Sequence, residues 1–348
     1  MKKNVKIFAV FFILILFAGL FTGCGGVGKD TLKVYNWGDY IGEDVIDEFE
    51  KKYDVKVIYE TFATNEEMYT KLKGGGSDYD VLFPSDYMLE RMIKEDMLEK
   101  IDLNNIPNFK YIDEHFRNLS YDPGNKYSVP YMWGTIGIIY NKTMVKEPVE
   151  SWRILWDKKY EKQIFMLDSS RDTIAITLKM LGYSINTKNM DELEEAKNAL
   201  IEQKSLVLSY MGDDVKDSMI AGQAALAVVW SGDAVYMKNE NPDLEYVIPK
   251  EGGNIWLDAI VIPKGSKNKK LAETFINFMC EPEIAFRNTD YIGYSSPHTE
   301  AKKMLDPELL NDKTAYPTDE DLKGSEWMET LSDVIKEYDR IWTEIKAK

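Results

Sequence analysis

Lys126–Asn141 reads Lys-Tyr-Ser-Val-Pro-Tyr-Met-Trp-Gly-Thr-Ile-Gly-Ile-Ile-Tyr-Asn. It is a long β-rich run broken by Pro130, Gly134 and Gly137, with no helical stretch between its halves. Such a run can leave one sheet and enter another. The first crossing between two sheets is expected near Gly134–Ile138, where glycine would absorb the backbone rotation that a hinge needs. Glu251–Pro263 (Glu-Gly-Gly-Asn-Ile-Trp-Leu-Asp-Ala-Ile-Val-Ile-Pro) looks like the return crossing. Its glycines release the chain from one lobe, and a strand rich in β-branched residues rejoins the other.

On either side of these crossings the pattern is α/β. Leu32–Tyr40 opens as a strand broken by Gly38 and Asp39. Asp44–Lys52 is helical, Val55–Tyr59 a strand and Asn65–Lys73 a helix. Gly74–Ser77 reads as a turn, Asp80–Phe83 as a buried strand and Tyr87–Lys94 as a helix. Strand and helix alternating in units of this length imply a largely parallel sheet covered by helices. Between the crossings, Glu150–Tyr160 is expected to be helical, with Trp152 and Trp156 in the core. Gln163–Leu167 and Ala224–Trp230 read as strands, Asp172–Leu181 and Asp191–Glu202 as helices. A helix at Asn268–Cys280 and a polar, helix-forming tail through Trp327 and Trp342 complete the chain. Its apolar pattern makes Cys280 a buried structural thiol. Two α/β lobes joined by non-helical crossings make a clamshell, each lobe a central sheet flanked by helices.

The chain has 348 residues, 44% of them hydrophobic, enough for two domains and a substantial core. A formal net charge of −16 argues against a nucleic-acid partner and is compatible with a cationic ligand. Two histidines and two cysteines leave little material for a transition-metal site or a disulfide framework, and no metal or cofactor is expected. His115 and His298 lie in polar, loop-like settings and read as surface residues. At the N-terminus, Lys2, Lys3 and Lys6 precede the apolar run Ile7–Phe21 and then Thr22-Gly23-Cys24. This resembles a bacterial lipoprotein signal, with Phe21 where such signals usually carry Leu. It implies cleavage after residue 23, lipid on Cys24 and a tether over residues 24–30. The folded part would then work outside the cytoplasm, anchored to the outer face of the cytoplasmic membrane. An uncleaved membrane anchor is the rival reading; the run is slightly short for one.

Aromatic and acidic residues gather where strands end, and open α/β sheets present ligand-binding groups there. Trp37, Asp39 and Tyr40 close the first strand. Ser85 and Tyr87 follow Phe83-Pro84, and Asp168, Ser169 and Asp172 surround a turn into a helix. Trp230 ends a strand before Ser231-Gly232-Asp233, Trp256 and Asp258 stand at i and i+2, and Tyr294 adds a ring. Aromatic faces attract positive charge, and a carboxylate adds a directed, charge-assisted hydrogen bond, a combination suited to an organic cation. Each residue also has an ordinary structural reading. Trp230 and Trp256 could be core, Asp172 a helix cap, and Asp168 a partner of Arg171.

Tyr35-Asn36-Trp37, Val81-Leu82-Phe83-Pro84-Ser85, Pro130-Tyr131-Met132-Trp133-Gly134, Glu251-Gly252-Gly253 with Trp256 and Asp258, and Ile292-Gly293-Tyr294 occur in that order across the chain. Together they resemble the periplasmic spermidine/putrescine-binding proteins of polyamine ABC transporters. The resemblance implies a type II periplasmic-binding-protein clamshell with ligand held in the interlobe cleft. Residues 31–135 with 257–302 would form one lobe, and 136–256 with 303–348 the other. It further implies an aromatic box of Trp37, Tyr40, Trp230, Trp256 and Tyr294, with Ser85 and Tyr87 on one wall. Asp258 would hold an internal ammonium, Asp172 one terminal ammonium and Asp39 the opposite end. Gly38, Asp168, Ser169 and Met328 are further candidates. Ser169 stands where the spermidine-binding pattern has a second acid, and Met328 where it has Gln, which leaves the choice of polyamine open. The implied partners are the polyamine, and the membrane permease and ATPase of an ABC importer; the chain is expected to act as a monomer.

Other classes fit less well. There is no Gly-x-Ser-x-Gly elbow, no His-Glu-x-x-His helix and no phosphate-cradling glycine loop, so no enzyme is expected. A glycan hydrolase could still use two aspartates beside aromatic rings. A sugar receptor would stack rings on Trp but seldom aims three aspartates at a neutral ligand, and a ferric receptor wants clustered tyrosines. A purely structural lipoprotein would bind no small molecule.

Overall fold

The computed structural model describes residues 30–75, 78–331 and 333–347. The signal segment, Cys24 and the tether up to Lys29 lie outside the described residues, as do Gly76 and Ser77 of the expected turn. The first unit is β1 (Thr31–Trp37), α1 (Val45–Tyr53), β2 (Lys56–Phe62), α2 (Asn65–Lys73), β3 (Val81–Leu82) and α3 (Asp86–Lys94). Parallel β2 and β3 flank β1. Helix α1 buries Val45 and Phe49 and stops at Asp54, whose left-handed φ of 53° lets its N–H return to the Glu50 carbonyl. Helix α2 starts at Thr64, whose side chain accepts from Glu67 N at 3.1 Å, while the Glu67 carboxylate accepts from Ala63 N at 2.9 Å. This reciprocal cap fixes α2 close to the end of β1.

The long strand β4 (Ser128–Asn141) is followed by β5 (Ile164–Leu167), α4 (Ser170–Leu181), α5 (Met190–Gln203), β6 (Val207–Met211), α6 (Val215–Ile220), β7 (Leu226–Trp230), α7 (Ser231–Glu240) and β8 (Leu244–Val247). Then come β9 (Asn254–Val261), α8 (Lys269–Met279), α9 (Pro282–Ile292), α10 (Thr299–Lys302), α11 (Pro307–Asn311), β10 (Glu326–Trp327) and α12 (Ile335–Ala347). Among the described residues the strands order β2-β1-β3-β9-β4-β7-β5-β6, with β10 on β9 and β8 on β4. Strand β4 is the joint. Ser128–Thr135 pairs antiparallel with β9, whereas Ile136–Asn141 pairs with β7 and β8. The change of partner falls at Thr135–Ile136, inside the expected crossing. Strand β9 pairs with β4, β3 and β10, on one side of that joint only.

One core gathers Ile136, Trp152, Ile176 and Leu200 with Tyr338 of α12; a second gathers Leu32, Phe49, Phe275, Phe278 and Cys280. The tail therefore touches both lobes, since α12 packs on one and β10 extends the sheet of the other.

Three expectations need correction. Gly134 and Gly137 take no left-handed conformation; they are small because something else needs the space. A Cβ on Gly134 would lie 2.6 Å from Ser231 Oγ and the Trp256 ring, and one on Gly137 2.5 Å from Tyr246 and the Val247 carbonyl. Residues 150–160 form two short 3₁₀ turns, Trp152–Trp156 and Lys158–Tyr160, because the Ser151 and Asp157 side chains cap each piece separately. Trp152 is core as expected, and its Nε1 donates to the Gly252 carbonyl at 2.7 Å. His115 is exposed, but His298 is buried. Its Nδ1 accepts from Ala301 N to cap α10, and its Nε2 meets the Cys280 carbonyl at 3.0 Å.

Candidate ligand-binding cavity

Strand ends from both lobes enclose a cavity of about 610 Å³. Strand β1 ends in Trp37, and Asp39, at φ 46°, turns the chain so that Tyr40 re-enters the interior. Ser85 to Tyr87 begin α3, Ser169 to Asp172 begin α4, and Trp230 hands β7 over to α7. On β9, Asn254, Trp256 and Asp258 alternate onto one face. Tyr294 follows α9, which ends at left-handed Gly293. Every candidate from the sequence lines this one cavity: Trp37, Asp39, Tyr40, Ser85, Tyr87, Asp172, Trp230, Trp256, Asp258 and Tyr294, with Gly38, Asp168, Ser169 and Met328.

Asp258 is the best-buried carboxylate among the named candidates. Its Oδ2 accepts from Tyr40 Oη at 2.7 Å, while Oδ1 has no hydrogen-bond partner. Burial pushes its pKa up to about 7, against the pull of the nearby Ser85 and Tyr40 hydroxyls. Rings surround it. Tyr294 meets Trp256 edge-on at 5.0 Å and Tyr40 at 5.7 Å. Trp37 is held from behind by its Nε1 on the Phe83 carbonyl at 2.8 Å and packs on Phe62 at 4.6 Å.

Two different settings flank this centre. Asp172 is buried and receives one neutral donor on each oxygen: Ser169 Oγ at 2.7 Å and Asn254 Nδ2 at 3.2 Å. Burial outweighs them and raises its pKa to about 6. The Arg171 guanidinium opposes that rise, whereas Glu66 lies close enough to add to it and accepts from Tyr87 Oη at 3.0 Å. Asp168, in the same stretch, pairs with Lys346 of α12 at 2.9 Å rather than with Arg171. On the opposite flank, Asp233 is also raised to about 6 by burial, with Lys216 Nζ 3.8 Å away opposing the rise. Asp213 and Asp39 add negative charge there. Burial disfavours the Lys216 ammonium, but Asp233, Asp213 and Asp39 outweigh it and raise its pKa. The lobes meet here: a Cβ on Gly232 would lie 1.7 Å from the Tyr294 ring.

The sequence reading assigned no role to Glu66, Asp213, Lys216, Asp233 or Asn254, all of which line the cavity. Asp233 lay inside a quoted cluster, and Asn254 shares the alternation of Trp256 and Asp258, so both had a local signal. Glu66, Asp213 and Lys216 had none. Ten carboxylates and one lysine are found among the described residues lining the cavity. No grouping of histidine, cysteine and acidic residues suited to a metal ion occurs among the described residues, and none of their helices is long and apolar enough to cross a membrane.

Residues 44–318 match the family model for bacterial extracellular solute-binding protein. A spermidine/putrescine-binding periplasmic protein of Escherichia coli is 36% identical over 321 residues, 92% of each chain. Among solved structures, a spermidine/putrescine ABC transporter substrate-binding protein of Streptococcus pneumoniae aligns with a TM-score of 0.78 at 41% identity, covering 91% of this chain and 99% of that one. A lipoprotein of Treponema pallidum aligns at 0.82 and 32% identity, with the same coverage.

Proposed function

The chain belongs to the bacterial extracellular solute-binding protein family, and within it we propose that it is the polyamine receptor of an ABC importer, binding spermidine, putrescine or both. The observation that carries this reading is Asp258. It is a buried carboxylate with one oxygen fixed by Tyr40 and the other unpartnered, ringed by aromatic faces inside a strongly acidic cavity. A neutral sugar would leave that charge buried and uncompensated. An ammonium satisfies the open oxygen and meets the π-faces of Trp256, Tyr294 and Tyr40 while the methylene chain lies along the rings. Asp172 takes a terminal ammonium, and Asp39 with Asp233 faces the other end.

Two or three charge-assisted hydrogen bonds of roughly 1.5–3 kcal/mol each, with cation–π contacts of about 0.5–2 kcal/mol, offset the cost of ordering a flexible amine. Micromolar affinity needs about −8 kcal/mol, within that reach. The lobes divide within β4 at Thr135–Ile136, and because β9 from Asn254 onward and β10 belong to the first lobe's sheet, the return boundary falls before Asn254 rather than at 256–257; closure between the lobes dries the site. Cleavage after residue 23 and lipid on Cys24 hold the receptor at the outer face of the cytoplasmic membrane. From there the monomer delivers its ligand to the permease and its ATPase.

The test is a thermal-shift and calorimetry screen of residues 25–348 against putrescine, cadaverine, spermidine, spermine, agmatine and maltose. A ligand at 100 times its dissociation constant stabilises by about 2.7 kcal/mol. Shifts confined to polyamines are expected; a shift with maltose alone, or with none of the amines, overturns the reading.

A further inference from the structure

We propose that Asn254 is a ligand-contacting residue that fixes the Asp172 carboxylate with one end of its amide and accepts an ammonium N–H with the other. This rests on the polyamine reading and specifies the terminal station of the same cavity. Asn254 is 2% exposed, a depth at which an amide is ordinarily satisfied at both ends. Its Nδ2 donates to Asp172 Oδ1 at 3.2 Å, yet its Oδ1 has no partner. The carboxylate settles which way the amide faces, because Oδ1 turned toward Asp172 would set two acceptors against each other. The free acceptor is therefore the carbonyl oxygen, held in a cavity-lining residue two positions before Trp256 and four before Asp258, on their face of β9.

The station needs such an acceptor. Ser169 Oγ occupies one lone pair of Asp172 Oδ2, and Asn254 Nδ2 one of Oδ1. A primary ammonium has three N–H donors to place. The neighbouring Ser169 hydroxyl is already committed as a donor to Asp172. The Asn254 carbonyl provides a neutral acceptor without a second buried charge beside Asp172, a cheaper arrangement at this depth. Strand β9 thus carries three ligand-facing side chains in register, an amide, an indole and a carboxylate.

The test compares wild type, Asn254→Leu and Asn254→Asp by calorimetry with putrescine and spermidine at pH 8, with thermal melting of each unliganded protein. Asn254→Leu keeps the branching and heavy-atom count but removes donor and acceptor, and is expected to weaken both amines roughly 10- to 100-fold. Asn254→Asp keeps an oxygen acceptor and, sharing a proton with Asp172, is expected to bind within about fivefold of wild type. Wild-type affinity in Asn254→Leu overturns the proposal. If that variant does not fold, Asn254→Asp decides: a loss of tenfold or more, although the near-isosteric side chain keeps both the packing and an oxygen acceptor, overturns the proposal. A wild-type protein that binds no polyamine overturns this inference together with the functional reading, whereas normal wild-type binding with an indifferent Asn254→Leu overturns this inference alone.

Discussion

The two flanks of the cavity treat a buried carboxylate in opposite ways. Asp172 has only neutral hydroxyl and amide donors, Ser169 and Asn254, on its oxygens. Asp233 has an internal ammonium, Lys216, 3.8 Å away. At an effective dielectric of about 20, such a pair is worth roughly 4 kcal/mol of gross attraction before desolvation is subtracted. The Asp172 flank, where the Arg171 guanidinium acts through space without bonding the carboxylate, thus keeps more of its attraction for an external cation, whereas the Asp233 flank has spent part of it on the protein's own lysine. A polyamine should be gripped hardest at Asp258 and Asp172, with its remaining end less tightly constrained.

The largest effect is expected at Asp258, which both flanks share. Asp258→Asn removes the counter-charge from a desolvated ammonium and should weaken every polyamine by 100-fold or more, on the order of 3 kcal/mol. The same substitution removes a buried charge from the unliganded protein, so its melting temperature at pH 8 should rise by a few degrees. Near-native affinity in calorimetry would show that the centre of the site lies elsewhere. Lost affinity with a lowered melting temperature would show that Asp258 holds the fold rather than the ligand.

The pH dependence comes next and separates the centre of the site from its flanks. Burial raises Asp258 to about 7, and Asp172 and Asp233 to about 6, all above the ordinary carboxylate range. Between about pH 4 and pH 7 the folded, unliganded chain therefore holds protons that the unfolded chain has released. These groups make the fold less stable as pH rises through that window. An ammonium favours the ionised carboxylate, so binding should release protons and the dissociation constant should weaken by about tenfold or more from pH 8 to pH 5. Calorimetry in buffers of different ionisation enthalpy counts the protons. Asp258→Asn should abolish the component near pH 7 and leave the one near pH 6. Binding with no proton release would mean that all three carboxylates remain charged in the empty cavity.

Much of this was legible in the sequence because it is written locally. The partner change within β4 follows from an uninterrupted β-rich run, and the aromatic and acidic candidates follow from strand ends. What was not legible depends on through-space company. Lys216 looks like any surface lysine until α6 places it beside Asp233, and Glu66 looks like a first-turn acid of α2 until Tyr87 and Asp172 are seen next to it. His298 reads as a loop residue because its neighbours are polar, yet its ring caps α10 from inside the core. The roles of Gly134 and Gly137 were misread for a related reason. The sequence shows that a side chain is missing but not what fills its place.

The smallest effect, and the one that most directly tests the contrast between the flanks, belongs to Lys216. If its ammonium competes with the ligand for Asp233, Asp213 and Asp39, then Lys216→Gln should tighten polyamine binding about three- to tenfold. The gain should be larger for spermidine, whose third ammonium must be placed, than for putrescine. It should shrink as salt rises from 50 to 500 mM, because the screening length around exposed Asp213 and Asp39 falls from about 14 Å to about 4 Å over that range. The opposite result has an equally definite meaning. Weaker binding in Lys216→Gln, independent of salt, would show that the lysine serves by keeping Asp233 ionised and in place. The two flanks would then be two ways of holding a carboxylate ready, and both ends of the ligand would be gripped alike.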